Sequence, residues 1–384
     1  MNLKDIKYVP LSEILLEYKE KNKDNKYRPA AVGRYGVRDR DSIYNKELAK
    51  DYSKNKVIYK DTLTLGMGSV QMDIGILVDD VVFSVSPAYH TFRINTEIVD
   101  SEYLKYCLEY RNKEMFEMYV KRSVRQGKTI DIPNWLTYKI PVYNKETQKY
   151  IVDVLNKSIE VLDTVKEKEN SIDELVKARF VELFGAPVLN PYNWDVVTIG
   201  DIVTDVRYGT SRPAVEGGKY PYLRMNNLTY DGHLDLSDMK YIDIPNNEIE
   251  KCIVRKGDVL FNRTNSIELV GKTCVFDLDD EMVIAGYIIR VRLNEKLLPI
   301  VLSSYMNLPS LKEQLRSMAK GAVNQANINA QELQSIKIYL PPIDLQNKFT
   351  TFVEQTDKSK SVCKEKIKKY IELYDKLMND YFGG

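Results

Sequence analysis

The sequence predicts a mixed α/β (α+β) protein built as a tandem repeat: two domains of mixed sheet and helix, joined by two long helices. Three observations carry that expectation. The two halves share residues at a constant offset, two long segments lack proline and glycine, and the stretches between them hold strand-forming runs.

The repeat comes first, because missing one misreads a whole fold. Val9-Pro10-Leu11-Ser12-Glu13-Ile14 resembles Val197-Thr198-Ile199-Gly200-Asp201-Ile202, and Val57-Ile58-Tyr59-Lys60-Asp61 resembles Ile253-Val254-Arg255-Lys256-Gly257. Gln148 then matches Gln346, Leu175 matches Leu373, and Phe184-Gly185 matches Phe382-Gly383, all at an offset of 198. Residues 25–95 and 205–290 differ in sequence and charge. Two similar frames thus hold two unlike inserts, which implies pseudo-two-fold symmetry with halves that bind different things.

Each half closes on a long helical segment. Ile151, Leu155, Leu162, Val165, Ile172, Val176 and Leu183 recur at steps of 3, 4 or 7, and Phe349, Val353, Val362, Ile367, Ile371, Tyr374, Met378 and Tyr381 continue a looser stripe. One sticky face at this spacing suits coiled-coil pairing. Each segment runs without Pro or Gly, from about residue 147 to 184 and from 345 to 382. Gly185 and Pro187 stop the first. These helices could simply pack on their own domains, but at this length they exceed the usual ~10–14 residues and would overhang a small domain, so they are expected to pair with each other as a spacer. The domains are read as 1–146, a central helix 147–186, 187–344 and a C-terminal helix 345–384.

The inserts read as mixed β domains. Val57–Leu65, Ile74–Val85, Ile253–Phe261, Thr273–Phe276 and Met282–Leu293 are β-branched or aromatic runs of strand length. Shorter helices are predicted at about 101–121 and 298–319.

Composition narrows the function. The 384 residues are 43% hydrophobic and 29% charged, enough for two ordinary domains. No apolar run approaches the ~20 residues of a membrane span, and Met1 to Tyr18 holds no signal-peptide core. A cytoplasmic protein without membrane contact is expected. Cys107, Cys252, Cys274, Cys363, His90 and His233 are scattered, whereas a structural zinc site needs about four clustered ligands, so no metal is expected. The net charge is only +1, but residues 19–60 carry +7 and residues 230–281 carry −6.

Signatures of catalysis are poor. Asn190-Pro191-Tyr192 falls short of a methyltransferase's Asn/Asp-Pro-Pro-Tyr run, and no glycine-rich cofactor loop accompanies it. No Pro-Asp opens a nuclease motif, and no GxxxxGK[ST] loop is present. A non-catalytic chain without cofactor is expected.

Four stretches resemble the specificity subunit of Type I restriction-modification systems (HsdS). They are Leu183-Phe184-Gly185-Ala186-Pro187-Val188-Leu189-Asn190-Pro191-Tyr192-Asn193-Trp194; Tyr208-Gly209-Thr210-Ser211 with Tyr222-Leu223-Arg224-Met225-Asn226-Asn227; Lys256 to Ser266 with Leu269-Val270-Gly271-Lys272; and Asn324-Gln325-Ala326-Asn327-Ile328-Asn329 leading to Leu340-Pro341-Pro342 and Gln346. The first half fits through its frame, Leu11 to Ile14, Lys139-Ile140-Pro141-Val142 and Gln148, while its insert lacks the Gly-Thr-Ser and Asn-Arg-Thr-Asn-Ser runs. The resemblance implies two target recognition domains, each reading half of a bipartite DNA site, held by two helices that pair antiparallel and set the gap. It also implies two modification subunits that carry adenine methyltransferase activity and bind S-adenosylmethionine, with restriction subunits joining in some complexes. Two rivals remain: a specificity subunit serving a fused restriction-modification enzyme, and a coiled-coil scaffold that binds protein only.

Base readout needs fixed donors and acceptors, Arg for guanine and Asn or Gln for adenine. Candidate contacts in the second half are Gly209, Thr210, Ser211 and Arg212; Arg224, Asn226 and Asn227; Asn262, Arg263, Thr264, Asn265 and Ser266; and Lys272. The same residue types also build Asx turns at strand ends, and for any single residue both readings stand. In the first half the candidates are Arg34, Tyr35, Arg38, Arg40, Lys54, Ser69, Gln71 and Arg125, the cations gripping phosphate or simply facing solvent. The acidic 230–281 stretch would repel a duplex, so the chain alone is expected to bind DNA weakly and the assembled complex tightly.

Overall fold

The computed structural model describes residues 6–33, 36–44, 51–123, 127–187, 189–322 and 325–383. Contacts divide the chain into two units, Met1–Val165 with Lys366–Gly384, and Lys166–Glu365.

In the first unit an antiparallel sheet runs in the order Leu15–Glu17, His90–Ile94, Thr62–Met67, Met72–Leu77. Residues 62–66 are buried in succession, so this central strand is covered on both faces. Helix Ser101–Tyr119 supplies part of the cover. Its Tyr103, Leu104, Cys107, Leu108 and Met115 repeat at helical spacing and enter the core. Asp100 caps it by accepting from the amides of Glu102 and Tyr103.

The second unit repeats this sheet in the same order with Val203–Tyr208, Ile288–Leu293, Val259–Asn262 and Thr273–Val275. The unlike inserts therefore share one topology. Single strands predicted over Val57–Leu65 and Ile253–Phe261 are each split. Lys56–Ile58 is divided from Thr62–Met67 at Asp61, with φ 60°, and Ile253–Val254 from Val259–Asn262 at Gly257, with φ 91°. A left-handed residue turns the chain through a corner that Gly, and less readily Asp, can adopt. The pieces then join different sheets: Lys56–Ile58 pairs with Phe83–Val85, and Ile253–Val254 with Met282–Ile284. The helix predicted over 298–319 is likewise two, Pro299–Asn307 and Pro309–Met318, because Leu308 before a proline is held extended.

The halves depart at one connection. Ala30–Gly33 and Gly36–Asp39 are two residues apart, whereas Tyr220–Leu223 and Lys240–Ile242 are joined by residues 224–239. Both pairs hold the same place. Tyr222 pairs in parallel with Val283, as Pro29 bridges in parallel to Ser84.

A buried amide marks each frame. Gln148 Oε1 accepts from Asp100 N at 2.7 Å, and its Nε2 donates to Ile98 O at 3.0 Å and Tyr143 O at 2.7 Å. Gln346 makes the same three bonds to Leu298 N (2.9 Å), Lys296 O (3.0 Å) and Pro341 O (2.8 Å). Every partner is displaced by the same 198 positions as the glutamines themselves. An apolar side chain there would strand three backbone groups, at about 1–3 kcal/mol each.

The long helices are Lys145–Phe184 and Ile343–Phe382. In the first unit Ile151, Val152 and Leu155, near the start of the first helix, share a core with Met378, Tyr381 and Phe382 at the end of the second. In the second unit Phe180 and Phe184, at the end of the first helix, each lie 5.4 Å from Phe349 near the start of the second. Start against end and end against start is an antiparallel pair. Gly185 ends the first helix at φ 84°, where a Cβ would fall 2.4 Å from the Pro191 ring.

Candidate DNA interface

The second-half candidates gather around residues 284–288, which link two strands of the second unit. Gly209 N donates to Ile288 O, Thr210 N to Ile284 O and Arg263 N to Tyr287 O. Gly209 is required there, since a Cβ would lie 2.1 Å from Ile284 O. Tyr222 Oη secures the same loop by donating to the carbonyls of Thr210 and Arg212. Lys272 Nζ reaches Met225 O at 2.7 Å and ties the loop at 224–227 to the loop at 263–272.

Four of these candidates differ from expectation. Asn227, Asn262, Thr264 and Lys272 are expected from the sequence to face DNA, but they are at most 7% exposed. Their hydrogen bonds are already committed. Asn227 accepts from Arg224 N and donates to Asp235 O and Asp238 O. Asn262 donates to Thr264 O and Tyr287 O and accepts from Asn265 Nδ2. Thr264 donates to Asn327 Oδ1 at 2.8 Å. Buried amides and hydroxyls must find partners inside the protein, so these residues build the platform and do not face a ligand. Burial also lowers the pKa of Lys272.

Ser211, Arg212 and Asn226 are exposed, and Arg224, Arg263, Asn265 and Ser266 are half-buried. The three arginines differ in their company. Arg212 forks onto Glu248, at 3.1 and 2.8 Å, and Arg224 bonds Asp238 at 2.8 Å. Arg263 lies 4.9 Å above the Tyr208 ring, and its Nε is buried without a hydrogen-bond partner. Stacking holds its plane, and among the described residues no carboxylate neutralises it within ion-pair distance. Tyr208, which stacks on this arginine, and Tyr287, whose carbonyl accepts from its amide, are exposed at 42% and 51%. The sequence reading missed both as surface groups. Tyr287 stands 198 positions after Tyr89, so the repeat was the signal available. The backbone carbonyls of both tyrosines accept side-chain donors, Lys56 Nζ at Tyr89 and Asn262 Nδ2 at Tyr287.

In the first half Arg34, Tyr35 and Arg125 lie outside the described residues. Arg38 is exposed on Gly36–Asp39, and Lys54 is exposed before Lys56–Ile58. Arg40 is buried instead, its guanidinium 5.3 Å above the Tyr44 ring, and this burial removes it from the surface expected for it. Ser69 and Gln71 lie on the turn between Thr62–Met67 and Met72–Leu77. Lys128, from the hairpin Val120–Ser123 and Gly127–Ile130, donates to Ser69 O at 2.5 Å. The second half repeats the arrangement. Its corresponding turn carries Thr264–Asn265, which pairs with Gln325–Asn327 of the hairpin begun by Lys320–Ala322.

The acidic stretch is partly neutralised within the chain. Asp231 pairs with Lys360, Asp238 with Arg224, Glu248 with Arg212, and Asp258 with Arg292. Glu250 and Glu281 both hold Arg255, and Asp279 holds Lys256. Part of the negative charge set against a duplex is therefore met by internal cations. Among the described residues no helix is long and apolar enough to cross a membrane.

A family model described as the Type I restriction modification DNA specificity domain matches residues 4–174 and again 191–373. The chain is 30% identical over 171 residues to a putative type I restriction enzyme MjaX specificity subunit of Methanocaldococcus jannaschii, covering 44% of this chain and 40% of that protein. It is 25% identical over 232 residues to the type I restriction enzyme EcoKI specificity subunit of Escherichia coli, covering 56% of this chain and 50% of that protein. The chain thus spans half or less of the length of these curated relatives. Two solved structures share the fold. One, from work on complex assembly and conformational transition of the type I R-M system, has a TM-score of 0.62 at 17% identity, covering 98% of this chain and 97% of its own. The other, a type-I restriction-modification system S subunit from M. genitalium, has a TM-score of 0.53 at 15% identity, covering 100% and 98%.

Proposed function

The chain belongs to the family of Type I restriction-modification DNA specificity domains, and from that premise we propose that it reads a bipartite DNA site for partner enzymes. One observation carries this reading. The two units repeat one topology around Gln148 and Gln346, while the loops at matching places carry different polar residues. A scaffold would repeat its contacts; a reader of two different half-sites must vary them.

In this reading Arg263, stacked on Tyr208, presents its guanidinium edge to a base, and guanine offers the matching acceptor pair. Ser211, Asn226, Asn265 and Ser266 lie alongside for further base or phosphate contacts. Arg212 and Arg224 exchange Glu248 and Asp238 for DNA. The chain performs no reaction itself. Methyl transfer belongs to two modification subunits that bind S-adenosylmethionine, with restriction subunits completing the complex in the cytoplasm.

The test is an exchange of residues 205–290 for those of a relative, followed by methylation mapping in a host that carries the partner methyltransferase. One half of the methylated motif changes and the other stays. A change in both halves, or in neither, refutes one domain per half-site.

A further inference from the structure

The second unit holds a charge cluster built around a buried lysine. Lys360, on the second long helix, is 6% exposed. Its Nζ donates to both carboxylate oxygens of Asp173, on the first long helix, at 2.8 Å each, and to Asp231 at 3.0 Å. His233 Nε2 stands 3.8 Å from each of these two carboxylates. Asp173, Asp231 and His233 are types that ligate metals, but the Lys360 ammonium already supplies the cation, so the cluster is a clamp. Burial would raise the carboxyl pKa of Asp231, yet hydrogen bonds from Thr229 and Lys360 hold it at about 2.

Asp231 sits at the tip of a short hairpin. Leu228 bridges Leu234, Thr229 N donates to His233 O at 2.9 Å, and Asp235 N donates to Asn227 O at 2.8 Å. At the base, Asn227 holds Arg224 N, and Met225 O receives Lys272. A stiff element therefore runs from the clamp to Arg224 and Asn226. The repeat breaks at the clamp residues. One offset of 198 away stand Leu162 in place of Lys360 and Ile371 in place of Asp173, which cannot form an ion pair. The first half also lacks the long connection at 224–239, having two residues there. Clamp and connection occur together, in one half only.

We propose that Lys360 is a positioning residue for readout by the second half: by pinning Asp231 to Asp173 it fixes the tip of the 227–235 hairpin, and through it the aim of Arg224 and Asn226. This rests on the reading of the chain as a DNA specificity subunit. Loss of the ammonium removes the hydrogen bonds that join the two carboxylates and leaves them facing each other across His233, which loosens the tip against the helices.

The full-length chain is compared as wild type, Lys360→Met, Lys360→Arg and Asp231→Asn, by hydrogen exchange and, with its methyltransferase partner, by methylation mapping. In Lys360→Met the amides of 227–235 exchange about tenfold faster or more, while the first unit keeps its protection. Positions in the second half-site accept wrong bases about tenfold more often, and the first half-site is unchanged. Lys360→Arg restores both readouts, because a guanidinium can bridge two carboxylates. Asp231→Asn, which leaves Lys360 paired with Asp173, shows the same local effect and carries the test if Lys360→Met does not fold. Unchanged protection of 227–235 in the folded variants overturns the clamp, as does an equal loss of specificity in both halves. Wild type that directs no bipartite methylation refutes the DNA-reading function instead, and the exchange measurement still decides the clamp.

Discussion

A buried lysine must find a carboxylate or give up its proton, and the second unit shows both solutions. Lys360 has Asp173 and Asp231, and their bonds raise its pKa despite burial. Among the described residues, Lys312 meets Gly271 O at 2.7 Å and the Tyr230 ring at 5.3 Å and no carboxylate within ion-pair distance. Burial, helped by the charges of Arg316 and Lys272, pushes its pKa from the ordinary 10.5 down to about 7. The unfolded chain then binds more protons than the folded one across that window. Stability therefore rises with pH from about 7 toward 10.5, and the penalty is fully present below the lower value. In urea unfolding, wild type gains on Lys312→Met as pH rises from about 7 to 10. A difference between the two that stays constant with pH refutes the assignment. At this scale the sequence was legible where a repeat singled a residue out, as with Gln148 and Gln346. It was not legible at Asn262 or Lys272, because an amide or amine looks the same whether it faces solvent or a buried carbonyl.

Among elements, the long helices were the plainest. Their apolar stripes and the stop at Gly185 need only local rules, and the observed bounds start two residues earlier than the predicted ones. The strands were harder. Val57–Leu65 and Ile253–Phe261 read as single strands because apolar runs carry no mark of a corner; the left-handed Asp61 and Gly257 cut them. If the paired helices set the gap between half-sites, lengthening both by two turns adds about 10 Å. Insertions of about seven residues after Val165 and after Glu365 then lengthen the unspecified gap by about three base pairs, with both half-sites kept. Methylation mapping checks this, and an unchanged gap in a folded variant removes the spacer role.

For the whole molecule, the charge balance sets the terms of the proposed DNA binding. A net charge of +1 offers little long-range attraction. The internal pairs of Glu248 with Arg212 and Asp238 with Arg224 also engage two of the candidate reading arginines. On the proposed reading, the phosphate-gripping charge then comes largely from partner subunits. In binding assays matched for salt and repeated over a salt series, the chain alone binds its site weakly, and adding the methyltransferase subunit tightens binding by orders of magnitude and steepens the salt dependence. Equal affinity with and without the partner refutes this.

The amino-acid sequence by itself determined the duplication, the two long helices and the family resemblance, because these rest on spacing and order along one chain. The shared sheet topology beneath unlike inserts, the burial of Asn227, Asn262, Thr264 and Lys272, and the stacking of Arg263 on Tyr208 were decided only in the tertiary structure. So was the clamp from Lys360 to Asp173 and Asp231, whose members are 187 and 129 residues apart. Burial and ion pairing depend on which distant segments meet, and no local pattern in the chain records that meeting.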